Sequence, residues 1–167
     1  MSPNIRPLCR EEVGAIAQLA RTVWAQAYRD IITPAQIDYM LAQRYCAPRL
    51  LEELARPDIW WDQAFVGPRR LGFASTQATA VPGEFKLDKL YVHPEAQRQG
   101  VGSALLAHVQ QRARARGGKT LILAVNKNNA PAIAAYRKNG FEVRESVCVD
   151  IGHGFVMDDF IMAKSLV

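Results

Sequence analysis

A strand, a glycine loop and a helix follow one another without interruption between Leu87 and Val109, and this run limits what the rest of the chain can build. Leu87-Asp88-Lys89-Leu90-Tyr91-Val92 is strand-like, and His93 to Gly100 is a polar loop. Val101, Leu105, Leu106 and Val109 then fall at helical spacing before the Gly117-Gly118 stop. Glycine at such a junction lets backbone approach a ligand closely. The free N–H groups and positive dipole end of the following helix favour an anion such as pyrophosphate. A plain tight turn would carry the same letters, so the neighbouring segments must decide. A dinucleotide fingerprint needs a third glycine where Leu105 stands, and a Walker loop needs Gly-Lys-Ser/Thr; neither is present.

Upstream, Asn4 to Leu8 alternates as a short strand, with Pro7 favouring an edge position. From Glu11 the period becomes helical, through Val13, Ile16, Ala17, Ala20, Val23, Trp24, Ala27 and Tyr28. Thr33, Pro34 and Gln36 form a capping box that starts a second helix, and Pro48 is read as a break before one or two further turns ending at Pro57. Trp60–Val66, Leu71–Thr79 and Glu84–Val92 read as an antiparallel meander turning at Gly67-Pro68-Arg69-Arg70 and Val81-Pro82-Gly83. Downstream come a strand at Thr120–Val125 and a helix at Ala130–Asn139 capped by Gly140. Two strands, Phe141–Ile151 and Phe155–Ala163, close the chain around Gly152-His153-Gly154. With no linker or repeat, one α+β domain over residues 1–167, built on a mixed sheet, is expected.

Composition removes several classes. The chain is 49% hydrophobic and 22% charged, which suits an ordered domain rather than a disordered one. Cys9, Cys46 and Cys148 are odd in number and lack Cys-x-x-Cys spacing, so neither a disulfide framework nor a zinc knuckle is indicated. No Asp, Glu, His or Cys group has metal-ligand spacing, and no metal is expected. No apolar run reaches membrane-spanning length and no signal segment is evident, so a cytoplasmic protein without membrane contact is expected. The net charge of +5 raises the question of a polyanionic partner, and residues 97–119 carry +5 with no acid. Nucleic acid is disfavoured, because Arg112, Arg114, Arg116 and Lys119 sit where a helix dipole favours cations and no nucleic-acid motif accompanies them.

Gln97-x-x-Gly100-x-Gly102 after Leu90-Tyr91-Val92-x-Pro94 resembles the acetyl-CoA pyrophosphate loop of the GNAT superfamily of acetyltransferases. Asn129-Ala130-Pro131 through Tyr136-Arg137-Lys138-Asn139-Gly140-Phe141 is similar to the second cofactor motif of that superfamily. The resemblance covers nearly the whole chain. It implies a GNAT-like mixed, mostly antiparallel sheet flanked by helices, splayed between its fourth and fifth strands, with acetyl-CoA as cosubstrate in the opening. It further implies that backbone groups of Leu90, Tyr91 and Val92 pair with the pantetheine arm, and that the amides of Gln97, Arg98, Gln99, Gly100, Val101 and Gly102 bind pyrophosphate. Asn129 would hydrogen-bond the cofactor near the splay, and Tyr136 would be the general acid. Dimers are common in the superfamily, so a homodimer is kept open.

An amine attacking a thioester needs an oxyanion stabilised, a proton removed from nitrogen and a proton supplied to sulfur. Tyr136 suits the last task if held against sulfur; its alternative is an aromatic core residue. The base is open. Lys86 stands where many members of the superfamily carry Glu, leaving Glu84, Asp88 or a water chain, and a bulge would change which carboxylate faces the cleft. On the acceptor side the first helices bring Trp24, Tyr28 and Tyr39, and Phe141 to Val167 has a net charge of −3, with Asp150, Asp158 and Asp159 near the final hairpin. Carboxylates among aromatics suit a small cationic amine, and the ending resembles polyamine acetyltransferases. A protein or peptide amine, or a CoA-binding sensor without catalysis, are the alternatives; solvated strand-face charges are the plain one.

Overall fold

Alternation along the central strands divides apolar side chains between the two faces of one sheet, and amphipathic helices cover both. The computed structural model describes residues 2–167. Its strands are β1 (Asn4–Pro7), β2 (Ile59–Val66), β3 (Arg69–Ala78), β4 (Glu84–Val92), β5 (Thr120–Asn126), β6 (Glu142–Gly152) and β7 (Phe155–Ser165). The helices are α1 (Val13–Ala27), α2 (Pro34–Arg44), α3 (Ala47–Leu54), α4 (Val101–Ala115) and α5 (Ala130–Lys138). The sheet runs β1-β2-β3-β4-β5-β7-β6, antiparallel throughout except where β4 meets β5. This is the mixed, mostly antiparallel α+β architecture expected from the sequence.

On one face Phe85, Leu87, Leu121 and Leu123 pack with Leu105 and Val109 of α4. On the other, Trp61 and Phe73 meet Ile16, Val23 and Trp24 of α1 and Leu50 of α3. Each of these large buried side chains contributes roughly 1.5–3 kcal/mol, so both helical layers are held by burial rather than by local propensity. No helix of the described residues is long and apolar enough to cross a membrane.

Beyond shifts of one or two residues at element ends, such as β3 taking in Arg69 and Arg70 of the expected turn, two helix starts differ from the sequence reading. Helix α1 starts at Val13 instead of Glu11, because Arg10–Glu12 forms a tight 3-10 turn. The Glu12 carboxylate accepts from the Cys9 N–H at 3.0 Å, from Arg6 at 2.6 Å and from Gln63 at 2.5 Å, which ties that turn to the sheet. Pro48 opens α3, where a first-turn proline loses no hydrogen bond, rather than breaking a helix. The basic end of α4 also finds intramolecular partners. Arg112 bonds the buried Asp62 at 2.8 Å, Arg114 donates to the Leu166 carbonyl at 2.9 Å, and Arg116 lies 4.3 Å over the Trp60 ring.

The feature that positions the site is a local failure of pairing. Strands β4 and β5 pair in parallel only from Glu84↔Thr120 to Leu87↔Leu123. At the next residue β4 bulges: Thr76 faces Leu87 and Ser75 faces Lys89, leaving Asp88 extra. A bulge adds twist and bends its strand, so β4 turns away from β5 where the extra residue sits. From there β4 has a strand neighbour only in β3, while Ala124 to Asn126 of β5 stay paired with β7. The sheet therefore opens at Asp88.

Candidate functional site

The bulge also resets which way the β4 side chains face. Leu87 lies with the α4 layer, Asp88 and Lys89 both lie toward α1–α3, and alternation resumes with Leu90 and Val92 on the α4 side and Tyr91 opposite. Residues Leu90 to Val92 thus present a backbone edge without a strand beside it on the β5 side. Next to that edge is the start of α4. Gly100 adopts φ +87°, and its carbonyl receives the first helical hydrogen bond, from Ala104 at 3.0 Å. The amides of the first turn have no intrahelical acceptors, as at any helix start. Arg98 is also left-handed, at φ 61°. Gln97 and Gln99 turn their side chains back onto the Val92 and Glu95 carbonyls at 3.4 and 2.9 Å, bracing the loop instead of reaching outward.

On the other lip of the opening, Asn129 caps α5 by accepting from the Ala132 N–H at 3.3 Å, which engages its oxygen and leaves its amide donors pointing elsewhere. Tyr136, about two turns further along α5, packs edge-on against Phe141 at 5.6 Å. Burial pushes its hydroxyl above the ordinary tyrosine range, with Tyr28 adding in the same direction.

Beyond the splay lies a cavity of about 450 Å³. Trp24 of α1 and Tyr28, which caps that helix, line it, and the Tyr28 and Tyr91 hydroxyls bond at 2.9 Å. Tyr91 therefore lends its backbone to the open β4 edge and its side chain to the cavity. Helix α2 roofs the space: Gln36 Nε2 donates to the Val156 carbonyl at 2.8 Å and the Tyr39 hydroxyl to the Ile151 carbonyl at 2.6 Å. Both acceptors are in the β6–β7 hairpin. Gly152 must be glycine here, since at φ +95° a Cβ would lie 2.8 Å from the Tyr39 hydroxyl.

Charge in the cavity is more balanced than the net −3 of the last strands implied. Asp88 faces it but is surrounded by Lys89 at 2.5 Å, Arg44 at 3.4 Å and Lys86 at 3.6 Å. Burial pushes the Asp88 carboxyl up, yet Lys89, Arg44 and Lys86 outweigh this and hold it well below the ordinary carboxylate range. Glu84, the other candidate base, is not a lining residue. It sits at the start of β4, where Thr79 and Arg144 bond it, both at 2.9 Å. Asp150 is exposed and accepts from the Gly152 N–H, and Asp158 pairs with Lys127 on the outer side of β7. Strand alternation separates Asp158 from Asp159, and of the three acids only Asp159 lines the cavity. Among the described residues no group of His, Cys, Asp or Glu is arranged to hold a metal ion.

Residues 19–141 match the model of the acetyltransferase (GNAT) family. The chain belongs to the GNAT family. It is 28% identical to a spermidine N(1)-acetyltransferase of Thermoplasma acidophilum, across 95% of this chain and 97% of that one. It is 32% identical to the peptidyl-lysine N-acetyltransferase YiaC of Escherichia coli, across 83% of each. Among solved structures, the PaiA N-acetyltransferase of Thermoplasma acidophilum in complex with coenzyme A superposes with a TM-score of 0.85 at 28% identity, over 99% of both chains. This GNAT chain is thus an acyltransferase that uses acetyl-CoA.

The residues present fit that cosubstrate. Space is open where a Gly100 Cβ would project, and the unpaired edge at Leu90 to Val92 offers an extended arm the ladder that β5 has vacated. Gly100→Ala is expected to weaken CoA binding by up to roughly tenfold, as the 1–2 kcal/mol cost of a left-handed alanine drives the free loop to relax from the conformation that CoA would have to restore. Calorimetric titration with CoA checks this, since nothing lies within 4 Å of the added methyl to destabilise the fold by collision. Arg44 and Gln36 are GNAT cavity residues that sequence reading missed as site groups, and Lys86, read there only as standing in place of a base, lines the cavity as well. Arg44 was accessible in principle, because it continues the Ile37, Met40, Leu41 stripe of α2 by one turn.

Proposed function

We propose that this GNAT enzyme acetylates the primary amine of a small molecule by direct attack, with polyamines the first class to test. The observation that carries the reading is the roof. Two hydrogen bonds, an edge-on contact of Tyr39 with His153 and a tilted one with Phe155 join α2 to the β6–β7 hairpin, so the cavity suits a compact acceptor better than a polypeptide laid across it. Aromatic walls at Trp24, Tyr28 and Tyr91 favour an alkylammonium, and the spermidine-acetylating relative supports the same class.

Acetyl-CoA supplies an activated thioester carbonyl when bound. The amides of Gln97 to Gly102 and the cation of Arg98 would hold its pyrophosphate, the edge at Leu90 to Val92 its pantetheine arm, and Asn129 a polar group near the splay. Tyr136 Oη would keep a proton available for the departing sulfur. The second reading, a peptidyl-lysine acceptor, has the relative 32% identical over 83% of the chain in its favour.

Release of free thiol from acetyl-CoA, followed over a panel of diamines, polyamines and lysine-containing peptides, tests the choice. We expect kcat/KM on at least one small amine to exceed that on every peptide by tenfold or more; turnover of peptides alone would overturn the reading. Tyr39→Phe, which unhooks the hairpin at Ile151, is expected to raise the acceptor KM about three- to tenfold and leave the acetyl-CoA KM unchanged.

A further inference from the structure

Among the described residues, Asp159 is the one cavity carboxylate without an ion-pair partner of its own. It pairs with Asn126 in the β5–β7 register, beside the last paired residue of β5 at the open end of the splay. Met157 and Ile161, two residues either side, also line the cavity, so alternation along β7 aims Asp159 into the same space. The residue is 4% exposed, and its Oδ1 is fully enclosed and accepts no hydrogen bond from the protein. An enclosed acceptor without a donor is unfavourable by about 1–3 kcal/mol, more when charged, so a donor entering the cavity would relieve it.

The groups facing it come from α2, from β4 and from the residues just after α1 and β5, and their commitments leave Asp159 alone. Arg44 of α2 and Lys86 of β4 pair with Asp88, while Lys127, after β5, pairs with Asp158. Tyr28, the residue after α1, bonds Tyr91. Burial lifts the Asp159 carboxyl above the ordinary range, opposed by Arg44, Lys86 and Lys127 and reinforced by Asp158. Asp88, held low by three cations, is the poorer proton acceptor of the two carboxylates in the cavity.

We propose that Asp159 receives the acceptor's amino group and takes its proton as the amide bond forms, a role that rests on the small-amine reading above. The Asp159 carboxylate pairs with the entering ammonium, which gives one proton to solvent to become the free amine. As the nitrogen lone pair forms the C–N bond and the C–S bond breaks, Asp159 takes the second nitrogen proton. Tyr136 Oη gives one proton to sulfur. Asp159 has then gained what Tyr136 has lost, and exchange with solvent restores both.

With the best small amine from the panel, Asp159→Asn is expected to lower kcat/KM by about 10²-fold or more, to remove the lower, steeper part of the acidic limb that Asp159 adds to deprotonation of the amine itself, and to leave CoA affinity within about twofold. Asp159→Glu is expected to recover the limb and part of the rate. An Asn variant with wild-type kcat/KM and an intact acidic limb overturns the proposal. Should that variant fail to fold, carbon-13 NMR of the wild-type carboxyl groups decides: Asp159 is expected to titrate above ordinary aspartates and to shift on adding the amine, and no shift at saturating amine overturns it. If the wild type turns over only peptides, the small-amine reading falls by itself, and the same variant assayed with the peptide still judges Asp159.

Discussion

Replacing Tyr136 by Phe is expected to lower kcat by about 10²-fold while the KM for acetyl-CoA stays within about twofold. The ring would keep its edge-on packing against Phe141, so the change removes a hydroxyl and little else. Two opposed effects set the size. A thiol has a pKa of about 8.5 and tyrosine about 10, so full transfer to a departing thiolate is uphill even before burial raises Tyr136 further. The hydroxyl therefore acts by donating into charge developing on sulfur, which places the effect at the lower end of general-acid catalysis. Because burial keeps Tyr136 protonated, any loss of wild-type rate in mildly basic solution belongs to another group, and Tyr136→Phe should retain that limb. Single-turnover rates across the pH range check both statements; an unchanged rate would make Tyr136 a packing residue only.

Elements whose apolar pattern repeats over several turns were legible from the letters, because burial of a continuous stripe is what makes them fold. Helix α1, the β2–β4 meander and the Gly100 loop lie close to where periodicity and turn chemistry put them. The Arg10–Glu12 turn was not legible, since it depends on Glu12 reaching Arg6 and Gln63 across the sheet edge. The acceptor side was read least well, for a similar reason. Counting charges in the last 27 residues cannot say which way each strand side chain points, and Asp150, Asp158 and Asp159 differ in just that respect. Nor does a strand pattern reveal a bulge. Glu84 and Asp88 looked equivalent at two residues either side of Lys86, yet one anchors to Arg144 and the other lies in a nest of cations at the splay.

That nest leads to the largest expected effect on stability. Asp88→Asn is expected to destabilise the protein by about 3 kcal/mol, or roughly 6–12 °C in Tm for a chain of this length. Asparagine keeps the shape of the bulge, so the cost is one of charge. Lys89, whose side chain is 3% exposed, would retain Glu53 at 3.9 Å as its nearest carboxylate, with the Tyr45 and Trp61 rings at 5.7 and 5.1 Å. Burial already pushes the Lys89 ammonium below the ordinary lysine range, and Asp88 is the largest opposing influence. Without it, a buried cation is left under-compensated, which costs more than the intact pair contributes. The dependence on pH follows from the depressed Asp88 carboxyl. Its stabilisation is fully present above the unfolded value of about 3.9 and is lost as pH falls below that toward the folded value, so wild type and variant should converge in acid. Urea unfolding at pH 7 and along a descending series measures the gap. Equal stability at pH 7 would mean that Glu53 and the two rings suffice for Lys89, and that the bulge at Asp88 is set by backbone alone.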